Sequence, residues 1–237
     1  MSSEKQKCAL NATLVSLFCN IVLFIIKFFA LVIINSLAIA IDLGISFVGL
    51  TISIILYYSI KIANKPADII HNYGYGKIEH VCEMLEGFVL IGIAMAMSSQ
   101  AIISLLHPKQ VNLPLVGMCI CLVNVAINFG GAYYILKMAE KSGSPAIKAE
   151  GIHYRMEGFI SLIIGVSFIV IFVLTRRGFT GLAEFIDPIA AILVSLFLVV
   201  PSFKIARASF FKLLDASIEE DSQLEILKPL AKFIHQY

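Results

Sequence analysis

Charge is scarce in this sequence. Asp, Glu, Lys and Arg make up 14% of its 237 residues, against 59% that are hydrophobic, which excludes an ordinary globular composition. Also missing is any cluster of Lys and Arg interleaved with aromatic residues, so nucleic acid is not a partner to expect. No nucleophile is paired with a base and no phosphate-binding loop occurs, which argues against a hydrolytic enzyme. A cleavable signal pattern is absent too: the first apolar run is too long and no small-residue cleavage site follows it, so it should persist as a span. The five cysteines, Cys8, Cys19, Cys82, Cys119 and Cys121, fall within or beside apolar runs and read as buried thiols rather than as a disulfide framework.

What the chain has instead is long apolar runs. A hydrocarbon core of about 30 Å takes about 20 residues of helix to cross, and six runs reach that length: Ala9–Ile34, Ser36–Ile60, Val81–Leu106, Leu113–Leu136, Gly151–Leu174 and Phe185–Ile205. They are continuous and too long for the alternating strands of a barrel. The expected fold is an all-α polytopic membrane protein of six transmembrane helices. Lys5, Lys7, Lys61, Lys65, Lys77, Lys137, Lys141, Lys148 and Lys204 fall on one side, against Lys109, Arg176 and Arg177 on the other, which makes both termini cytoplasmic. Residues 1–210 form the six-helix transmembrane domain and residues 211–237 a short cytoplasmic tail, in which Ser217 and Glu220 read as a capping box. The longer connectors, "NKPADIIHNYGYGK" and "EKSGSPAIKAE", also lie on the cytoplasmic side. No transit pattern is visible, which permits a plasma (inner) membrane location.

Ionisable residues inside a bilayer are costly and call for a partner or a function. The first two spans form a hairpin turning near Asn35, which sets Lys27 and Asp42 at similar depths. They read either as an ion pair or with Asp42 free to hold a cation. In "KAEGIHYRMEG", Glu150, His153 and Glu157 are spaced three and four apart and share one helix face. That face suits a chelate, yet the unbroken apolar run begins only at Phe159, and spacing alone favours a place at the wet end of the helix. Glu79, Glu83 and Glu86 share a face near a helix N-terminus, where the macrodipole favours acids. Met95 and Met97 read as packing, and Asp187 before Pro188 as a helix start. Setting "IDLGISFVG" against "AEGIHYRME" aligns Asp42 with Glu150, Ile45 with His153 and Gly49 with Glu157, a weak internal match.

Taken together, "SLAIAID" followed by Ser46, "HNYGYGKIE", "KAEGIHYRME", "IDPIAAILVSL" and "KLLDASI" resemble the cation diffusion facilitator family over nearly the whole chain. The most specific part is His71 to Glu79, similar to the family's His-Pro-Tyr-Gly-His-Gly-Lys-x-Glu loop. The resemblance implies a homodimeric, proton-coupled exporter of divalent metal ions. Zinc is the first candidate substrate, with manganese, iron or cobalt as alternatives, and the partners are membrane lipid, the metal ion and protons. It also implies a mid-membrane site of two ligand pairs, one on span two and one on span five. By position the span-five pair is His153 and Glu157, a glutamate standing where aspartate is usual. On span two the positions fall on Ile45 and Gly49, which cannot ligate.

Three explanations stay open: Asp42 supplies a third ligand with water as the fourth, the protein is a non-transporting subunit or sensor, or a different cation is held by Asp42, Glu157 and waters. The resemblance further implies a peripheral metal at Asp68 and His71, where Tyr75 replaces the family's second histidine, and a structural charge interlock between Lys77 and Asp215. Family members usually continue into a cytoplasmic ferredoxin-like domain. Here residues 211–237 supply about one helix, as the remnant or start of such a domain.

Overall fold

A computed structural model describes residues 3–63, 77–107 and 109–214 of the chain. It has six helices and, among the described residues, no strand: α1 Ser3–Ile34, α2 Leu37–Ala63, α3 Lys77–Leu106, α4 Pro114–Ser142, α5 Pro145–Arg176 and α6 Thr180–Leu213. Each contains a stretch long and apolar enough to cross a membrane. The outward faces are apolar as well: Phe18, Val32 and Leu106 are among many large hydrophobic side chains exposed on the bundle exterior. Lipid is the solvent that tolerates such a surface.

The α1–α2 hairpin turns at Asn35, whose φ of 54° lies in the left-handed region that asparagine tolerates better than most residues. The N-terminus of α2 is then capped from another helix. Asp187 of α6 accepts hydrogen bonds from the Leu37 amide at 2.7 Å, the Ala38 amide at 3.4 Å and the Ser36 hydroxyl. This corrects the reading of Asp187 as a helix start. The residue lies inside α6, which begins seven residues earlier at Thr180 and runs through Pro188 and Pro201. Its capping chemistry is real, but it serves α2, whose free amides it satisfies at the hairpin turn.

Helix α5 also begins earlier than hydropathy suggests. Ser144 accepts from the Ile147 amide as N-cap and Pro145 fills the first position, a pairing well suited to starting a helix. The start comes six residues before Gly151, so Glu150, His153 and Glu157 sit within regular helix rather than at its end.

Small residues bring the helices close, as expected where lipid supplies no hydrophobic drive. The main partner of α4 is α5, with Gly117 against the ring of Phe168, Gly131 against Tyr154, Gly158 against Phe129 and Gly151 against Leu136. In the α3–α6 contact the close neighbours are backbone: a Cβ on Gly87 would stand 2.7 Å from the Ser202 carbonyl oxygen and 2.9 Å from the Ala206 nitrogen. Of the cysteines with described side chains, Cys121 is buried while Cys119 faces outward, so the uniform reading as buried thiols fails at Cys119.

Backbone cannot yield to a side chain as another side chain can. Gly87→Val is therefore expected to lower the unfolding temperature in detergent by several degrees. Gly92→Val, at a position with nothing within 4 Å, should leave it nearly unchanged.

Candidate functional site

Polar side chains of α1, α2 and α5 meet along one line through the bundle. At its centre the Lys27 ammonium donates to Asp42 Oδ1 at 2.8 Å, Glu157 Oε2 at 3.0 Å and Ser46 Oγ at 2.6 Å. Lys27 is 1% exposed, Asp42 2% and Glu157 1%. Of the two readings of Lys27 and Asp42, the ion pair is present, and a second carboxylate from α5 completes it. Ser46 also donates to Glu157 Oε2 at 3.2 Å. Glu157 divides its two oxygens, since Oε1 lies 3.2 Å from His153 Nε2. His153 is 6% exposed, so the structure places both residues inside the bundle, not at a wet helix end. The early start of α5 is the physical reason.

The positions on α2 implied by resemblance behave differently from each other. A Cβ on Gly49 would stand 3.1 Å from His153 Nε2 and 3.4 Å from Glu157 Oε1. Position 49 therefore faces the α5 pair directly but presents no side chain. Ile45 is fully buried in the apolar core. Asp42 joins the cluster through Lys27, which takes its Oδ1. Among the described residues no three His, Cys, Asp or Glu side chains converge on a common point, so the protein offers a carboxylate–imidazole pair with a lysine beside it.

Toward the face carrying the termini lies a second buried group. Glu150 Oε1 accepts from Ser53 Oγ at 2.6 Å and from the Ser16 hydroxyl. Asn20 Nδ2 donates to Ser53 Oγ at 2.7 Å and to the Gly49 carbonyl at 3.3 Å, and the Tyr154 hydroxyl donates to the Ser16 carbonyl at 2.6 Å. Asn20 lies between this group and the first, near the place that a Cβ on Gly49 would take. Its Oδ1 is buried without a hydrogen-bond partner, and so are amide atoms of Asn124 and Asn128 on α4.

Of the other residues singled out in the sequence, Lys77 is exposed at the first position of α3. Asp68, His71 and Asp215 lie outside the described residues. Glu83 accepts from Ser209 of α6 at 2.7 Å, a contact between helices.

Asn20, Ser16 and Ser53 were not read from the sequence as site residues. A signal was there: Asn20 and Lys27, Ser46 and Ser53, and Glu150 and Glu157 are each seven apart, two helical turns, which sets each pair on one face of an otherwise apolar span.

Six membrane helices around a buried carboxylate–imidazole pair describe an integral, multi-pass membrane protein of transporter type. Residues 13–214 match the cation efflux transmembrane domain family, and the chain belongs to that family, one of transporters rather than enzymes. It is 25% identical over 187 residues to the cation-efflux pump FieF of Shewanella oneidensis, covering 79% of this chain and 60% of the relative. It is 29% identical over 212 residues to metal tolerance protein C1 of Arabidopsis thaliana, covering 82% and 42%. Against an uncharacterized transporter of Synechocystis the identity is 25% over 173 residues, covering 73% and 54%. The chain thus spans about half the length of these relatives.

Removing one member of a buried ionic cluster strands the others, at a cost of about 3–5 kcal/mol. Lys27→Met should lower stability in detergent by that order. Lys27→Met combined with Asp42→Asn should recover part of the loss, because one stranded charge is removed with its partner. A double-mutant cycle showing no coupling between positions 27 and 42 would contradict the ion-pair account.

Proposed function

We propose that this domain carries a divalent metal cation across the membrane in exchange for protons, working as a homodimer. Zinc is the first candidate, and manganese, iron and cobalt follow. The observation that carries the reading is the His153–Glu157 pair, buried where α1, α2 and α5 meet and joined through Glu157 to Lys27 and Ser46. A neutral imidazole nitrogen and a carboxylate oxygen are ligands that zinc and its neighbours accept.

Charge supports a cation as the cargo. Asp42 and Glu157 contribute two negative charges and Lys27 one positive, so the cluster carries a net −1 while His153 is neutral. A metal ion at Glu157 Oε1 and His153 Nε2 leaves Oε2 on Lys27, which keeps the carboxylate turned toward the histidine. Asp42 then acts on the ion through its charge, with Lys27 between them.

Coupling to protons follows from His153. An imidazole must be neutral to ligate metal and can take a proton once the metal leaves, so the two ions compete for one group. Movement of helices about this fixed site exposes it to either side in turn. A peripheral metal at Asp68 and His71, and an interlock of Lys77 with Asp215, belong to the same proposal on resemblance alone.

One observation favours a second reading. Lys27 already stands against the carboxylates as a tethered cation, and Gly49 and Ile45 supply no ligands, as in a subunit or sensor that moves no ion.

Calorimetry with zinc, manganese and iron(II) on the purified protein separates the two. Transport predicts saturable binding, weakened at least about tenfold in His153→Ala/Glu157→Ala, and metal flux in liposomes driven by lowering external pH. His153→Ala should abolish that pH drive. No binding, or binding that the double substitution leaves unchanged, would remove the central site and favour the subunit reading instead.

A further inference from the structure

We infer that Lys27 sets the metal preference of the central site: its ammonium fills an all-oxygen position that hard divalent ions would otherwise take, and it leaves metals only the mixed pair of His153 Nε2 and Glu157 Oε1. The inference rests on the proposed metal site at that pair and names what decides which ions enter it.

Geometry provides the first argument. Three oxygens surround one point, with Ser46 Oγ at 2.6 Å, Asp42 Oδ1 at 2.8 Å and Glu157 Oε2 at 3.0 Å from Lys27 Nζ. Asp42 and Ser46 come from α2 and Glu157 from α5, while the ammonium arrives from α1. A lysine that only neutralised one buried acid would need one of these partners. Here the three protons of the ammonium meet three acceptors, and all four residues are at most 2% exposed. The point at Nζ is therefore a cation position in charge, in ligand number and in burial, and a side chain of the protein occupies it.

Donor chemistry provides the second. Two carboxylates and a hydroxyl are the ligands that magnesium, calcium and manganese accept, whereas imidazole suits zinc and iron. With Nζ in place, the donors still presented are His153 Nε2 and Glu157 Oε1, which lie 3.2 Å apart. Glu157 belongs to both halves, one oxygen to each, so an ion on the mixed pair stands beside a fixed positive charge. That charge weakens the binding of every divalent ion, and an ion that gains strongly from imidazole overcomes it best. The substrate class is a borderline divalent ion of the zinc kind, with hard ions held out by the lysine.

The test compares Zn²⁺ and Mn²⁺ binding by calorimetry in the wild type, Lys27→Met, Lys27→Met/Asp42→Asn and Lys27→Met/His153→Ala, with unfolding temperatures recorded in chelator and in each metal. Lys27→Met should bind Mn²⁺ at least about tenfold more tightly than the wild type, because a like charge has gone. Zn²⁺ should gain less, so the ratio of Zn²⁺ to Mn²⁺ affinity falls. Destabilised in chelator, Lys27→Met should regain stability in Mn²⁺. Adding Asp42→Asn should remove both the gain and the rescue, whereas adding His153→Ala should keep them. A lysine that merely braced the helices would leave the ratio where it was.

An unchanged Zn²⁺ to Mn²⁺ ratio in Lys27→Met would overturn the inference and leave the His153–Glu157 site standing. A Lys27→Met chain that stays unfolded in Mn²⁺ as well as in chelator would overturn it too, because the ion then does not take the place of the ammonium. Mn²⁺ binding gained by Lys27→Met over a wild type that binds no metal would sustain the cation position at Nζ and overturn the metal-carrying reading instead. Metal binding in neither protein would remove both.

Discussion

The structure depends on one ammonium group. Lys27 sits where neither water nor a headgroup reaches, and its position is bearable only because Asp42, Glu157 and Ser46 surround it. The dependence is mutual, since each carboxylate would be equally unsupported without the lysine. From this follow the depth of the α1–α2 hairpin, the rotation of α5 that turns Glu157 inward, and the direction in which Glu157 presents its second oxygen to His153. A buried charge cluster of this kind fixes register between helices that apolar packing alone would leave free to slide.

Much of the architecture was legible in the residues. Six apolar runs correspond to six helices, and a hairpin turning at Asn35 sets Lys27 opposite Asp42. The hidden features were those in which one helix serves another. Nothing local marks Glu157 as the second partner of Lys27, because the two are 130 positions apart and meet only once α5 has packed. Asp187 shows the same effect. An acid before a proline satisfies every local criterion for a helix start, yet its acceptors are spent on α2.

The depth of His153 was misread for a related reason. Hydropathy locates the apolar stretch of a helix but not the helix itself, and α5 continues below its apolar stretch to Ser144 and Pro145. Polar residues on that extension are then covered by neighbouring helices. Asn20 was passed over because a single amide in an apolar span resembles noise until its seven-residue spacing to Lys27 is set beside those of Ser46 and Ser53 and of Glu150 and Glu157.

The cap that Asp187 places on α2 has a bearing on how the two ends of the molecule differ. Ser36 and Asp187 line a cavity of about 250 Å³ that also touches Gln100, Ser104 and Lys109, on the face away from the termini. Among the described residues the one carboxylate lining it is already committed to two amides and a hydroxyl, and the remaining charge is a lysine. On the opposite side of the central cluster Glu150 has hydroxyl partners but, among the described residues, no cation. The carboxylates toward the two ends of the bundle are thus held differently, Asp187 by two backbone amides and a hydroxyl, Glu150 by two hydroxyls. Asp187 thereby gives its charge to the shape of the hairpin turn, and the other described side chains lining that cavity are neutral apart from one lysine.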